Sequence, residues 1–341
     1  MPVHVVGIAH VADLDFVSTL YLMRIVGFVI LTAVMASAIF LVPDLGWAFA
    51  VIGLLPSALF SRSVLSADGG ALAYTMLATA VSLRSAKGIE TVGAPVHSLL
   101  MALCVLSKPP QLVFILLAAL RRPINGLARQ WKTITIVVVP ALAISLAWVL
   151  ISDGDVAAWR FVEGSDLPPE HYRPLWKLHY LSEHPWHFFT LLLGTYHYLD
   201  AYWLQLIGIL GWLDMPLRPW LYPVLTGLLL AAFWTPIQFD LQTRRRVIAI
   251  GAMILVAYTF GVFLIFYLVW TGLDQTEIAG VQGRYFVVLL PIVALMIAAA
   301  VRRGLSGTAR AVTLVASALL SSLATIDAVA RSDWKFAVLP F

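Results

Sequence analysis

Charged residues are scarce in this sequence. Only 12% of its 341 residues are Asp, Glu, Lys or Arg, whereas 61% are hydrophobic. A soluble domain has roughly 25% charged and 45–50% apolar residues, so a soluble globular protein is excluded. About ten apolar stretches of roughly 15–25 residues follow one another, and roughly 20 helical residues cross the hydrocarbon core of a bilayer. The composition therefore predicts an all-α fold, a polytopic transmembrane bundle of about nine or ten spans.

Several other features are missing, and each absence excludes or disfavours a kind of bond, site or function. The single cysteine, Cys104, rules out an intrachain disulfide. The sequence has no phosphate-cradling glycine loop, no Gly-x-Ser-x-Gly elbow and no nucleic-acid signature. Acidic residues are nearly absent from the middle of the apolar stretches, which disfavours an ion-coupled transporter. His184 and His187 flank a proline that spoils the helical spacing of two ligands, so we predict no metal site there.

The apolar stretches define the expected spans, one of which is interrupted. The expected spans are 20–42, 46–60, 68–83, 95–107, 110–120, 133–151, 219–236, 247–270, 285–301 and 311–328. Between the fourth and fifth lies Ser107-Lys108-Pro109-Pro110, and a proline pair cannot continue a helix. We therefore expect a re-entrant or broken hairpin here, buried in protein or lining a cavity.

Basic residues predict the orientation of the chain. They gather in four short connections, which contain Arg84 and Lys87; Arg121, Arg122, Arg129 and Lys132; residues 244–246; and Arg302, Arg303 and Arg310. The positive-inside rule places these connections in the cytoplasm. Both termini and the segments 61–69, 152–218 and 271–284 then lie outside. We expect one membrane domain, 1–341, in which 152–218 is an aromatic insertion whose part 187–210 forms interfacial helices.

The segment before the third span carries the first candidate site. It contains Arg62, Ser66 and Asp68. Ser66 or Asp68 is a suitable N-cap for the following helix, because its oxygen accepts from the free N–H groups of the first turn. A carboxylate and an arginine at membrane depth would also hold a metal ion, a sugar hydroxyl or a phosphate. The two interpretations are compatible.

Two further positions combine polar groups with a break in the backbone. Lys108 precedes the proline pair; its stem could simply extend to the lipid headgroups, or its ammonium could meet a phosphate at an exposed helix end. Before the ninth span, glycines flank Gln282, and Arg284 and Tyr285 follow. These groups hydrogen-bond anions and hydroxyls, although Arg284 and Tyr285 would also suit an interfacial anchor.

Three motifs taken together resemble a known family. They are Ser66-Ala67-Asp68-Gly69; Gly208-Ile209-Leu210-Gly211-Trp212-Leu213-Asp214 followed by Pro216; and Gly280-Val281-Gln282-Gly283-Arg284-Tyr285-Phe286 leading to Pro291. In this order and spacing they resemble the bacterial membrane-protein family catalogued as domain of unknown function 2142. That family is similar to the C-type glycosyltransferases, which use polyprenyl-phosphate-linked sugars. The resemblance covers about residue 20 to the C-terminus.

The resemblance implies a fold, a reaction and a set of residues. It implies a C-type glycosyltransferase-like bundle in the bacterial inner membrane, which transfers a sugar from a polyprenyl-phosphate donor to a cell-envelope glycan or lipid at the outer face. The implied partners are membrane lipid and the lipid-linked sugar, without nucleic acid. No cofactor is expected, and a need for a divalent metal stays open. By position, the resemblance carries over Asp68 as the base, and Arg284 and Lys108 as groups for the phosphate. The residue patterns add Arg62, Gln282 and Tyr285 as substrate- or phosphate-binding candidates, and Trp186 and Trp212 as candidates for stacking on a sugar ring or a lipid chain.

The chain departs from the family pattern at its start. The fold normally begins with a further span and an outer loop that carries an acidic motif. Asp13 and Asp15 lie on the expected side and are the catalytic candidates here, although they do not match that motif. We therefore expect a shortened start, a base elsewhere or an inactive copy. The alternative functions are a transporter or lipid flippase, and a non-catalytic assembly partner in envelope polysaccharide synthesis.

Overall fold

The computed structural model describes residues 14–64, 66–89, 93–120, 127–160 and 173–336. Within these ranges almost all regular structure is helical. The α-helices are α1 (Phe16–Leu41), α2 (Pro43–Leu54), α3 (Pro56–Ser63), α4 (Ala67–Ala86), α5 (Ala94–Ser107), α6 (Leu127–Arg160), α7 (Pro174–Glu183), α8 (Pro185–Gly194), α9 (Leu199–Gly208), α10 (Leu221–Phe233), α11 (Leu241–Val269), α12 (Leu290–Ala300) and α13 (Gly307–Phe336). Pro109–Leu120, Thr195–Tyr198 and Gly283–Leu289 are 3₁₀ segments. Strands β1 (Ile209–Leu210) and β2 (Met215–Pro216) form one antiparallel hairpin.

Prolines and short polar side chains set where many helices begin. Helices α2, α3, α5, α7, α8 and α12 each have a proline at their first or second position, where no backbone N–H is needed for an intrahelical bond. Asp15 caps α1 by accepting from the amide of Ser18 (3.2 Å), and Asp240 caps α11 by accepting from the amide of Thr243 (2.9 Å). Local sequence therefore fixes the boundaries that later position the polar residues.

The structure confirms a polytopic helical bundle. Every stretch predicted as a span is helical in the structure. Among the described residues, four segments are long and apolar enough to cross a membrane: α1, α11, Gly283–Ala300 and Gly307–Ser332. A fifth is formed if α2 and α3 count as one span, bent by 69° at Leu55. Shorter apolar helices in the described residues include Ala94–Ser107, Pro109–Leu120, Ile134–Ala147 and Leu221–Phe233, and each overlaps a further predicted span.

Helix α4 is the centre of the bundle. Fourteen of its twenty residues are buried, and many of these are Ala, Gly, Ser or Thr. It packs against α1, α3, α5 and both of the longer 3₁₀ segments. Small side chains allow neighbouring helices to approach closely. Because α4 is surrounded by protein, its mixed composition costs less than it would against lipid.

The predicted break at Lys108 is confirmed. Helix α5 ends at Ser107, Lys108 is extended (φ −156°, ψ 129°), and the 3₁₀ segment starts at Pro109. The two legs pack against each other. Both lead away from Lys108 to the same end of the bundle, because His97 of α5 lies 3.4 Å from Ser82 near the end of α4, and Ala119 accepts a hydrogen bond from Arg246 at the start of α11. Lys108 is thus the tip of a broken hairpin.

Three of the four predicted basic clusters meet at one end of the bundle, which we call the basic end: Arg84, Lys87, residues 244–246, Arg302, Arg303 and Arg310. Arg84 donates to the carbonyl of Leu41, the last residue of α1 (2.9 Å), and Arg244 donates to Ala300, the last residue of α12 (2.5 Å). Cations near helix C-termini satisfy free carbonyls and interact favourably with the helix dipole. These arginines therefore join the helix ends as well as marking one face.

The opposite end carries the helices expected at the interface. Of the predicted stretch 187–210, residues 187–208 are helical through α8, Thr195–Tyr198 and α9, and the last two residues form β1. Lys177 of α7 is buried and donates to the carbonyls of Tyr267 (3.3 Å) and Thr271 (2.5 Å), so it caps the end of α11. Residues 161–172 of the predicted insertion lie outside the described residues. This end also holds Asp68, Lys108 and Arg284.

Candidate functional site

Asp68 lies in the first turn of α4. The hydroxyl of Ser66 accepts from the amide of Asp68 (3.1 Å), so Ser66 is the N-cap of the helix. The same hydroxyl lies 3.2 Å from Oδ2 of Asp68 and donates to it. Because Ser66 caps the helix, the Asp68 carboxylate remains available to accept from further partners. The dipole at this helix end favours its negative charge.

Two cations from distant segments meet at this carboxylate. Lys108, at the tip of the hairpin, forms an ion pair with Oδ1, and Nε of Arg284 lies 3.5 Å from Oδ2. The side chains of Asp68, Lys108 and Arg284 are only 12%, 19% and 25% exposed. We call these three residues the Asp68 cluster. Its formal charge is +1, so an incoming anion would meet a net positive, half-buried group.

Tyr285 forms an aromatic wall beside the Asp68 cluster. The ammonium of Lys108 lies 4.0 Å from the centre of its ring, within the range of a cation–π interaction. The ring stacks on Phe266 of α11 with centroids 5.3 Å apart. The hydroxyl of Tyr258 donates to the carbonyl of Tyr285 (3.0 Å). Helix α11 therefore holds Tyr285 in place from both its ring and its backbone.

Arg284 links the Asp68 cluster to the β1–β2 hairpin. Its Nη1 donates to the carbonyl of Gly211 in the hairpin turn (3.1 Å). Gly211 has a φ of 65°, which favours glycine, and the carboxylate of Asp214 accepts from the amide of Trp212 (2.8 Å) within the turn. Trp212 is 91% exposed. Trp212, a candidate stacking residue, is therefore exposed directly after Gly211, whose carbonyl accepts the hydrogen bond from Arg284.

Gly283 allows the motif to approach α9 closely. A Cβ on this residue would lie 1.8 Å from the carbonyl oxygen of Tyr202, so no larger residue fits without a shift. At this approach the amide of Gly283 donates to Oε1 of Gln205 (2.6 Å). Burial, assisted by the charge of Glu277, raises the pKa of Tyr202 to about 12. In the described part of the chain, Oε1 of the neighbouring Gln282 is buried without a hydrogen-bond partner.

Arg62 was predicted to bind substrate, and the structure places its guanidinium elsewhere. It is buried and donates to the carbonyls of Gly53 (2.6 Å) and Ala58 (3.3 Å) and to the hydroxyl of Thr32 (3.3 Å). These groups surround the bend between α2 and α3. Arg62 thus satisfies carbonyls that the bend leaves free, and none of these contacts involves Asp68.

The remaining predicted site residues also lie apart from the Asp68 cluster or outside the described residues. Asp15 is exposed and serves as the N-cap of α1. Asp13 lies outside the described residues. Trp186 is 77% exposed on α8, where its ring lies 5.9 Å from that of Phe189. Among the residues that the structure describes, no three His, Cys, Asp or Glu side chains come together to hold a metal ion.

Several residues that complete the site were not predicted. Gly211 contributes a backbone carbonyl, and Gln205 contributes an amide oxygen to Gly283. Tyr258 and Phe266 belong to an apolar span, where aromatic residues are usual. Only the motif that contains Gly211 gave a signal in the sequence, because backbone contacts and buried aromatic packing leave no distinctive pattern.

Comparison with known proteins gives one match. The family model described as predicted membrane protein (DUF2142) matches residues 1–296. No curated protein and no solved structure matches. The matched range covers well over half of the chain and includes the whole Asp68 cluster. The chain therefore belongs to the DUF2142 family of predicted membrane proteins.

Proposed function

We propose that this membrane protein is a glycosyltransferase that transfers a sugar from a polyprenyl-phosphate donor to a cell-envelope glycan or lipid. The reaction would take place at the outer face of a bacterial inner membrane. The observation that carries the proposal is the half-buried Asp68 carboxylate flanked by Lys108 and Arg284.

The chemistry of this transfer needs the groups that meet at the Asp68 cluster. The acceptor hydroxyl oxygen attacks the anomeric carbon, the bond from that carbon to the phosphate oxygen breaks, and the lipid phosphate leaves with the electron pair. Asp68 is the base that takes the hydroxyl proton. Lys108 and Arg284 stabilise the negative charge of the departing phosphate, since preformed cations in a partly dehydrated site stabilise developing charge strongly.

The placement of the Asp68 cluster supports a substrate that arrives through the membrane. The cluster lies at the end of the bundle opposite the basic end, and the positive-inside rule assigns the basic end to the cytoplasm. A polyprenyl phosphate has its charged group at the membrane surface and its chain in the lipid. Exposed Trp212, on the hairpin held by Arg284, offers a surface on which a sugar ring could stack.

The direct test is turnover by the purified protein in lipid nanodiscs. The donors are polyprenyl-phosphate hexose and pentose labelled in the sugar, and the acceptor is a bacterial envelope extract. We expect Asp68→Asn to lower the rate by about 10²–10⁴-fold and Arg284→Ala by about 10²–10³-fold. Asp44→Asn is the matched control, because Asp44 forms an ion pair with Lys87 at the basic end.

Other outcomes favour the alternative functions. Movement of labelled lipid across proteoliposomes without any product would indicate a flippase. Loss of the envelope glycan in a deletion strain, without turnover or lipid movement in vitro, would indicate an assembly partner. If Asp68→Asn and Arg284→Ala both restore the full glycan in the deletion strain, the assignment of the site is wrong.

A further inference from the structure

A pocket of 390 Å³ lies at the basic end, at the opposite end of the bundle from the Asp68 cluster. It is bounded by the connection 236–239 between α10 and α11, by Arg244 of α11, and by the end of α12 with Arg302 just beyond it. Its volume falls within the range of roughly 300–1,000 Å³ that is typical of ligand sites. The two arginines make it a positively charged concavity.

In the part of the chain that the structure describes, the two arginines of this pocket have no acidic ion-pair partner. Within the described ranges of the chain, neither Arg244 nor Arg302 forms an ion pair with a carboxylate. Arg244 is half-buried and uses one N–H for the carbonyl of Ala300, whereas Arg302 is exposed. The nearby Asp240 accepts from both the amide (2.9 Å) and the hydroxyl (2.6 Å) of Thr243. The pocket therefore keeps donors that can face an anion.

Three helix carbonyls beside the pocket already accept hydrogen bonds. The carbonyl of Ala298 accepts from the amide of Ile237 (2.9 Å), and that of Ile297 accepts from the amide of Val301 (2.9 Å). Arg244 donates a hydrogen bond to the carbonyl of Ala300. The C-terminal end of a helix usually repels anions because its last carbonyls are free. Here that repulsion is reduced, so the arginines dominate the pocket.

The position of Arg244 in its own helix also favours a bound anion. Residues 244–246 are three consecutive arginines near the N-terminus of α11. Cations are unfavourable near a helix N-terminus, where the dipole is positive. An anion bound between Arg244 and Arg302 would offset this repulsion. Basic pockets between membrane helices on the cytoplasmic side are suited to anionic headgroups.

We infer that this pocket binds a phosphate-bearing anion, either the headgroup of an anionic membrane lipid or a free phosphate. The inference is independent of the proposed transferase activity, because the pocket and the Asp68 cluster lie at opposite ends of the bundle. Arg302 is the most suitable residue for testing the inference. It lines the pocket, its side chain is exposed, and its replacement leaves the helix caps intact.

The test measures binding to the delipidated full chain in detergent, with phosphatidylglycerol, phosphatidylcholine and inorganic phosphate as probes and native mass spectrometry as the readout. We expect phosphatidylglycerol to bind more tightly than phosphatidylcholine, and Arg302→Gln to weaken its binding about fivefold. Arg303→Gln is the control, because Arg303 is exposed and does not line the pocket.

The arms of the experiment distinguish the sources of the phosphate. Preference for phosphatidylglycerol that depends on Arg302 assigns a lipid headgroup. Binding of inorganic phosphate that depends on Arg302, without a preference between the lipids, assigns a free phosphate. Equal effects of Arg302→Gln and Arg303→Gln, or no effect of either, overturn the inference. Arg244→Gln/Arg302→Gln should weaken binding about twenty-five-fold, but the single variant carries the test because Arg244 also caps α12.

Discussion

The ion pair between Asp68 and Arg284 can be measured with a double-mutant cycle. The cycle consists of Asp68→Asn, Arg284→Gln and the double variant. Asparagine keeps the shape of the aspartate and removes its charge, whereas glutamine removes the guanidinium. Arg284→Gln also removes the hydrogen bond to Gly211, but that loss is present in both arms of the cycle and cancels. The remainder is the coupling between the two side chains.

The size of this coupling follows from distance and burial. Nε of Arg284 lies 3.5 Å from Oδ2 of Asp68, and both side chains are at most a quarter exposed. Two unit charges about 4 Å apart attract by about 4 kcal/mol at an effective dielectric constant of about 20. Because Lys108 already neutralises part of the same carboxylate, we expect a coupling of about 2 kcal/mol.

The assay is unfolding of the purified protein in mixed detergent micelles, followed by tryptophan fluorescence. Arg218 and Asp327 provide the comparison, because they form a bidentate pair (3.1 and 2.8 Å) whose side chains are 57% and 29% exposed. Water screens such a pair, so its coupling should be clearly smaller. If the Asp68–Arg284 coupling is below about 0.5 kcal/mol, the two residues act independently and the reasoning is refuted.

Two further predictions concern packing and pH. Gly283→Ala should destabilise the protein by about 1–3 kcal/mol, because its Cβ has no room against α9, whereas Gly227→Ala, where nothing lies within 4 Å, should not; equal thermal unfolding midpoints would contradict this. Burial, assisted by the charge of His184, lowers the pKa of His187 from its usual 6.5, so the unfolded chain binds this proton more tightly and stability should fall as the pH drops through about 6.5. His187→Gln should reduce this loss and His179→Gln should not, as measured by unfolding between pH 5 and 8.

The residues of the Asp68 cluster could be predicted because ionisable groups are rare in this chain. An ionisable side chain near lipid is costly unless it has a partner. The sequence therefore singles out Asp68, Lys108 and Arg284 without showing that they meet. Their meeting depends on three long-range arrangements: α4 at the bundle centre, the hairpin tip beside it, and the segment after Gly283 held against α9. None of these has a local pattern.

Arg62 shows how a bend in the backbone can supply the partners of a buried arginine. The sequence predicts one apolar span over 46–60, and Pro56 lies inside it. A proline removes a helical hydrogen bond and ends the helix before it, which leaves carbonyls without partners. In the structure the chain bends by 69° there, and Arg62 donates to the carbonyl of Gly53. The bend at the proline therefore provides a hydrogen-bond acceptor inside the protein for the buried Arg62 guanidinium.

The surroundings of helix α4 explain why the Asp68 cluster is where it is. A helix that faces lipid must be apolar, whereas one surrounded by other helices needs small side chains and satisfied polar groups. Helix α4 is of the second kind, since its buried residues include Thr75, Thr79 and Ser82. A carboxylate at the start of such a helix is shielded from lipid and can be reached from several segments. On a lipid-exposed span, the Asp68 carboxylate would lack the two cations that lie beside it in this structure.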